Sequence, residues 1–194
     1  MNHAAPDEAA QRVLLHDIGG DGDIWVFGYG SLMWQPGFDY LERQPALLYG
    51  YHRSFCVYSE YYRGTQERPG LVLGLDRGGC CRGIAFRLAR GAAHDILDYL
   101  WDREMVTAVY APKVISLHLA GRRRVTGRTF VAYRRHYQYA GRLPDAKIVT
   151  MIRQGVGKTG TNIAYLEATA AHLDTLGIAD DPLHRLLDWV RAAG

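Results

Sequence analysis

One carboxylate stands where it could carry protons. Glu104 lies three residues after Trp101 and four after Leu100, on a predicted helix. Since residues three and four apart share a helix face, its side chain is expected to point along the apolar stripe towards the core. A carboxyl in apolar surroundings has a raised pKa, which suits it to proton transfer near neutral pH. The alternative is a structural glutamate at a helix end, paired with Arg103 or another arginine.

A glycine-rich turn is the second feature suited to chemistry. The sequence IWVFGYGSLMW, residues 24–34, opens with β-branched and aromatic residues that predict a buried strand. Glycines at positions 28 and 30 then allow a sharp turn and let a ligand approach bare backbone. Backbone N–H groups exposed in this way form a small anion-binding concavity. The alternative is a tight turn whose glycines serve only steric needs.

Three other motifs do not hold. The segment GVGKT, residues 155–159, has Ile152 where a phosphate-binding loop needs its first glycine, and it joins two predicted helices. The serine of GYGSL is followed two positions later by Met33, where the nucleophile elbow of hydrolases needs glycine. The eight histidines show neither HxH nor HExxH spacing, so no metal site is predicted.

Composition indicates a soluble globular protein. The chain has 194 residues, enough for a sizeable core, and 48% of them are hydrophobic. A formal net charge of +3 is too small to imply a polyanionic partner. No apolar run is long enough to span a membrane. Asp7, Glu8 and Arg12 lie where a signal peptide would need an apolar core. The number of cysteines, three, is odd and none are spaced as CxxC, so neither a disulfide framework nor a zinc site is predicted. The expected location is therefore cytoplasmic, with reduced thiols.

The elements that would position these groups form an α+β fold. Strand patterns dominate the middle of the chain and helices its end, so we expect a mixed or antiparallel sheet curled into a small barrel with flanking helices. The helix expected at 4–17 has Val13, Leu14 and Ile18 as its apolar edge. The polar segment YYRGTQERPG, residues 61–70, is predicted to be a mobile loop. Further helices are predicted at 92–105, 145–154, 163–176 and 182–191, and strands at 24–27, 46–59, 71–75, 81–88, 109–119 and 125–134.

Five motifs together resemble the ChaC-type branch of the γ-glutamylcyclotransferases. They are VFGYGSLMW, YHRSFCVYS, WDREMVTAVY, QYAGRLP and TGTNIAYL, in the expected order over residues 25 to about 170. The resemblance implies a single domain of that fold over 1–194, in which 1–23 is an N-terminal extension. It departs at Ala164, where the family often has an acidic residue before the tyrosine. Any role of that acid is absent here.

The resemblance also implies an activity and its residues. The reaction is cleavage of glutathione into 5-oxoproline and cysteinylglycine, without a metal or organic cofactor. Glu104 matches the family's catalytic glutamate. The expected substrate-binding residues are those of the glycine-rich turn and three weaker candidates, namely Gly28, Tyr29, Gly30, Ser31, Leu32, Arg53, Tyr110 and Tyr165.

Three alternatives stay open at this point. The same cyclisation could act on other γ-glutamyl amines or dipeptides. A second alternative is a non-catalytic ligand-binding regulator of cation transport, although such a protein would not need Glu104. The basic clusters at 122–124 and 134–136, interleaved with tyrosines, could bind single-stranded nucleic acid. A solvated strand edge blunted by charge is the favoured reading of these clusters, so no nucleic-acid partner is expected.

Overall fold

The computed structural model describes residues 7–19 and 22–193. Within that part no helix is long and apolar enough to cross a membrane. The helices are α1 (Glu8–His16), α2 (Ala93–Glu104), α3 (Asp145–Gln154), α4 (Asn162–Thr175) and α5 (Asp181–Ala192). The strands are β1 (Ile24–Gly28), β2 (Glu42–Ser59), β3 (Gly70–Leu88), β4 (Tyr110–Leu119), β5 (Arg124–Ala132), β6 (Val156–Gly157) and β7 (Gly160–Thr161).

Five of the described strands form a closed barrel in the order β1-β3-β2-β4-β5. Strand β1 runs antiparallel to β3 and parallel to β5, and β4 is antiparallel to both β2 and β5. The sheet is therefore mixed and curled, which confirms the predicted α+β barrel with flanking helices. Because β1 has a neighbour on each side, the strand that leads into the glycine-rich turn has no open edge.

Strand β3 corrects the prediction of two separate strands. The polar sequence DRGG at 76–79 resembles a turn, yet β3 is continuous from Gly70 to Leu88. Gly78 and Gly79 take positive φ angles of 100° and 67°, which lets the strand deform locally without ending. The carboxylate of Asp76 accepts from its neighbour's backbone N–H at 2.8 Å and pairs with Arg134 at 3.1 Å, which explains how an acid is buried there.

Helix α1 is shorter than predicted and turns a different face inward. Residues 4–6 of the predicted helix lie outside the described residues, and the helix begins at Glu8 with Asp7 as its N-cap. Leu15 is buried, whereas Val13 is 69% exposed and Leu14 also faces solvent. The apolar edge predicted there is therefore wrong apart from Ile18, which packs against the core cluster that contains Leu15 and α2 residues. Arg128 fixes this position, since it donates to the carbonyl oxygens of Leu15 and Asp17.

The chain divides into two compact units. The first holds the described residues up to 53 together with 75–136, and the second holds 54–74 with the described residues from 137 onwards. The prediction of one domain over 1–194, with 1–23 as an extension, stays a prediction.

In the second unit, Asn162 joins the start of α4 to the start of β3. This buried amide accepts from the Leu71 backbone N–H at 2.6 Å and donates to the Leu71 carbonyl at 2.7 Å. It thus satisfies both backbone groups of a strand residue. The segment that precedes it forms the β6–β7 hairpin, with Val156 opposite Thr161, and no phosphate-binding loop.

The segment 61–70, which was predicted to be a mobile loop, is tied to that hairpin near its start. Arg63 donates through Nη1 to the carbonyls of Thr159 and Thr161, at 2.8 and 3.2 Å. Backbone N–H groups of Lys158 and Thr159 donate in turn to carbonyls at positions 61 and 62. These bonds hold the first half of the loop, and the predicted mobility of the segment stays a prediction.

Candidate active site

The glycine-rich turn follows a fully buried strand. All five residues of β1 are buried, and a single 3₁₀ turn from Ser31 to Met33 follows it. The Met33 N–H donates to the Gly30 carbonyl at 2.9 Å. The first N–H groups of a helical turn have no partner within it. Within residues 7–19 and 22–193, the N–H groups of Gly30, Ser31 and Leu32 accordingly have no acceptor. The turn therefore offers adjacent backbone donors, and anion binding by them stays a prediction.

Glycine is needed at position 28 because a side chain there would lack room, and not because the backbone is left-handed. A Cβ on Gly28 would lie 3.0 Å from the Cβ of Leu32. Gly83, on β3, packs closely against the strand that leads into the turn. A Cβ on Gly83 would lie 2.3 Å from the Gly28 carbonyl oxygen and 2.7 Å from the Phe27 ring. The close passage of β3 under β1 thus sets the position of the turn. Sequence reasoning missed Gly83, because only the pairing of β1 with β3 shows its role.

Arg53 also supports the turn. Its guanidinium donates to the Tyr29 carbonyl through Nε and to the Arg82 carbonyl at 2.7 Å through Nη2. Nη2 also lies 3.9 Å from the Met33 sulfur. The structure therefore brings Arg53 to the glycine-rich turn, at the backbone of its second residue. A direct contact of Arg53 with substrate stays a prediction.

Glu104 is the last residue of α2. The helix is anchored by Ile96, Leu97, Leu100 and Trp101, which are buried in one apolar cluster with Leu32 of the turn. The carboxylate follows this stripe, as its spacing predicts, and the side chain is only 18% exposed. Burial raises the pKa of the Glu104 carboxyl, and the neighbouring Arg103 partly opposes that shift. The group is thus poised to hold or release a proton nearer neutrality than an exposed glutamate.

Arg103 links this carboxylate to the turn. Its Nε lies 3.2 Å from Glu104 Oε1, and its Nη2 donates to the Ser31 hydroxyl at 3.0 Å. Its Nη1 donates to the carbonyls of Gln35 and Pro36, at 2.8 and 3.0 Å. The sequence identified this arginine only as a possible ion-pair partner of Glu104. Its contacts with the turn depend on tertiary structure, and no local pattern signals them.

The two tyrosines lie in different units. Tyr110 begins β4 in the first unit and packs, partly buried, against the apolar cluster of α2 and Leu32. Tyr165 lies on α4 in the second unit, where its ring makes an edge contact with Phe55 and lies under the Arg63 guanidinium. The structure therefore gathers the turn, Arg53, Glu104 and Tyr110 in one unit. The substrate contacts predicted for both tyrosines stay predictions.

Other candidate features are accounted for structurally. Cys56 and Cys81 are buried and Cys80 is exposed, and all three are free thiols. No group of three or more potential metal ligands occurs among the described residues. In the arginine clusters, Arg123 pairs with Asp23 at 2.9 Å and Arg134 with Asp76. Because β5 pairs with both β4 and β1, these clusters lie at the two ends of a barrel strand and not along the open edge favoured from the sequence. The absence of a nucleic-acid partner stays a prediction.

A turn of backbone donors linked to a largely buried carboxylate, on a small closed barrel, is an arrangement suited to acid–base chemistry on a small anionic molecule. The family described as ChaC-like protein matches residues 24–193, and the chain belongs to that family. The glutathione-specific γ-glutamylcyclotransferase of Escherichia coli is 38% identical over 171 residues, which cover 88% of this chain and 74% of the relative. The mouse glutathione-specific γ-glutamylcyclotransferase 1 is 33% identical over 180 residues, covering 88% and 81%.

A solved structure agrees with the fold. The yeast γ-glutamylcyclotransferase specific to glutathione superposes with a TM-score of 0.79 at 21% identity, covering 89% of this chain and 97% of that chain. At this identity the likeness establishes the barrel and its helices, and the two curated relatives carry the family assignment.

Proposed function

We infer that this protein is a glutathione-specific γ-glutamylcyclotransferase, which converts glutathione into 5-oxoproline and cysteinylglycine. Relatives with that activity are 32–38% identical to this chain over most of its length. The structural observation that carries the inference is the largely buried Glu104 carboxylate, linked through Arg103 to the glycine-rich turn. This arrangement supplies a proton carrier and an anion-binding backbone within the same unit.

The reaction needs no nucleophile from the protein. The α-amine of the γ-glutamyl group attacks its own γ-carbonyl carbon, a C–N bond forms and a five-membered ring closes. The bond from that carbon to the cysteine nitrogen then breaks. Holding the γ-glutamyl chain in a ring-ready geometry captures much of the rate gain available from proximity. The free N–H groups of Gly30, Ser31 and Leu32 are suited to hold the α-carboxylate in that geometry.

Glu104 is assigned the proton transfers. The α-amine of glutathione is an ammonium ion at neutral pH, so it must lose a proton before it can attack. Glu104 accepts that proton and delivers it to the departing cysteine nitrogen. The ring nitrogen gives up a second proton as the amide forms, and Glu104 passes this proton to solvent or to the released amine, so the carboxylate returns to its starting state. A pKa raised by burial suits both steps, because the carboxylate becomes a stronger base and its acid form is populated nearer neutrality.

Product analysis tests the inference directly. The purified protein is incubated with glutathione, and 5-oxoproline and cysteinylglycine are quantified by mass spectrometry. The two products are expected in equal amounts. γ-Glutamyl-alanine serves as the competing substrate, and a lower kcat/KM for it than for glutathione is expected. An equal or higher value would assign the protein to the broader cyclisation of γ-glutamyl dipeptides. Absence of 5-oxoproline from both substrates would refute the enzymatic function.

A further inference from the structure

The Arg103 guanidinium contacts two parts of the proposed site at once. From this geometry we propose that Arg103 is a positioning residue, which fixes the Glu104 carboxylate and the Ser31 hydroxyl relative to each other. The proposal rests on the proposed function, because it assigns Arg103 a task in that reaction. It adds a residue that neither the sequence motifs nor the reaction chemistry requires.

The anchoring of the guanidinium explains how it can set a geometry. Nη1 bonds the carbonyls of Gln35 and Pro36 and lies 3.2 Å from the Tyr99 hydroxyl. A planar group that is held at one nitrogen by rigid backbone has little freedom at the other two. Nε and Nη2 are therefore presented in fixed directions, to Glu104 at 3.2 Å and to Ser31 at 3.0 Å.

The bond to Ser31 also sets the direction of its hydroxyl proton. Because the Ser31 oxygen accepts from Arg103, its own hydrogen must point elsewhere. The hydroxyl belongs to the same short turn as the N–H groups of Gly30, Ser31 and Leu32. Arg103 thereby orients the hydroxyl as a further donor for the substrate carboxylate.

Lysine could not reproduce this arrangement. The five contacts of Arg103 are shared among three nitrogens held in one plane, whereas lysine has one nitrogen at the end of a flexible chain. An Arg103→Lys variant therefore keeps a positive charge near Glu104 and loses the geometry. An Arg103→Met variant loses both the charge and the geometry. Comparison of the two variants therefore separates the effect of the guanidinium geometry from the effect of its charge.

Charge has its own measurable consequence. The segments 31–36 and 105–109 that flank the site carry no ionisable side chain. The ionisable groups of the site besides Glu104 are Asp102, Arg103 and Tyr99 on α2, Arg53 at the turn and Tyr110 on β4. Arg103 is the charged group that lowers the Glu104 pKa against the effect of burial. Removing it raises that pKa further, so the low-pH limb of kcat/KM moves to higher pH in Arg103→Met. In Arg103→Lys the limb stays close to that of the wild type.

The experiment compares pH profiles of kcat and KM for glutathione in both variants. We expect Arg103→Lys to lose about 10²-fold in kcat, the loss typical of a misplaced catalytic group, with little change of the pH limb. Arg191→Lys is the matched control, because Arg191 forms an exposed pair with Glu167 through the same two kinds of nitrogen. That control should retain wild-type kinetics. Wild-type turnover in Arg103→Lys would overturn the proposal.

A second measurement does not depend on turnover. The carboxyl resonance of Glu104 is followed by ¹³C NMR against pH and is identified by its loss in Glu104→Gln. A higher midpoint in Arg103→Met supports the proposal, and an unchanged midpoint contradicts it. If wild-type protein forms no 5-oxoproline, the proposed function fails, while this titration still decides whether Arg103 acts on Glu104. Thermal unfolding shows whether each variant is folded, and Arg103→Lys is informative should Arg103→Met fail to fold.

Discussion

Replacing Gly83 with alanine tests how closely the glycine-rich turn is packed against β3. The added Cβ would lie 2.3 Å from the Gly28 carbonyl oxygen and 2.7 and 2.8 Å from two atoms of the Phe27 ring. Real contacts of Cβ atoms are essentially never that short, so backbone or ring must move. Neither Phe27, in the buried strand β1, nor the Gly28 carbonyl can move without disturbing the strand that carries the turn.

The size of the effect follows from this geometry. Forcing extra volume into a packed core costs about 1–3 kcal/mol of unfolding free energy. In a chain of this length each kcal/mol corresponds to about 2–4 °C in Tm. Activity should fall as well, by up to about 10²-fold in kcat/KM, because a displacement at Gly28 is transmitted to the donors of the turn.

Gly91→Ala is the matched control for this substitution. A Cβ at Gly91 meets nothing within 4 Å, and this glycine has an ordinary backbone conformation. Alanine there should be neutral or raise the unfolding free energy by about 0.4–1 kcal/mol. The assays are urea unfolding and 5-oxoproline release for both variants. If Gly83→Ala is as stable and as active as Gly91→Ala, the packing argument for the turn is wrong.

Three other substitutions probe the carboxylate, the second unit and one histidine. Glu104→Gln should lower 5-oxoproline release by about 10²–10⁴-fold with glutathione binding retained. Because burial raises the Glu104 pKa, ionisation of this carboxyl destabilises the folded state. The gain in free energy of unfolding in Glu104→Gln should therefore grow as the pH rises above about 4.3. A difference in unfolding free energy that does not change with pH would contradict this. Asn162→Leu leaves two Leu71 backbone groups unpaired, so it should lower the free energy of unfolding by about 2–6 kcal/mol, measured by urea unfolding. A urea midpoint equal to that of the wild type would refute the role of Asn162 in satisfying these groups. The pKa of His184 is raised by its bonds to Asp180 and Asp174. His184 should therefore stabilise the protein below about pH 6.5 and lose that effect as the pH rises through the raised pKa. The Tm of His184→Gln should accordingly lie below that of the wild type at low pH and approach it as the pH rises.

Local patterns were sufficient to predict most elements and two parts of the site. The apolar face of α2 placed Glu104 inward, because helical periodicity alone determines which residues share a face. The glycine-rich turn was equally readable, since a β-branched and aromatic run followed by glycines indicates a strand and a turn. The helices at 145–154 and 163–176 were predicted within a residue of their observed bounds for the same reason.

Features that depend on distant residues were missed. The contacts of Arg103 join residues about seventy positions apart, and those of Gly83 and Asn162 span fifty-five and ninety-one positions. No periodicity in the sequence encodes such pairings. The face of α1 was misjudged because Val13 and Leu14 are as apolar as Leu15, and only the tertiary packing of Leu15 against α2, together with the bond from Arg128 to its carbonyl, distinguishes it.

Helix α1 also bears on how far the protein can be shortened. The family match begins at residue 24, which invites expression of a minimal version from that point. Such a version would lack Leu15, which is 1% exposed in the cluster of the Glu104 helix. It would also deprive the buried Arg128 guanidinium of two carbonyl acceptors, and an uncompensated buried cation is costly. Trimming to the shared region is therefore expected to lower the free energy of unfolding and to expose part of this apolar cluster, so crystallisation or screening efforts should retain α1.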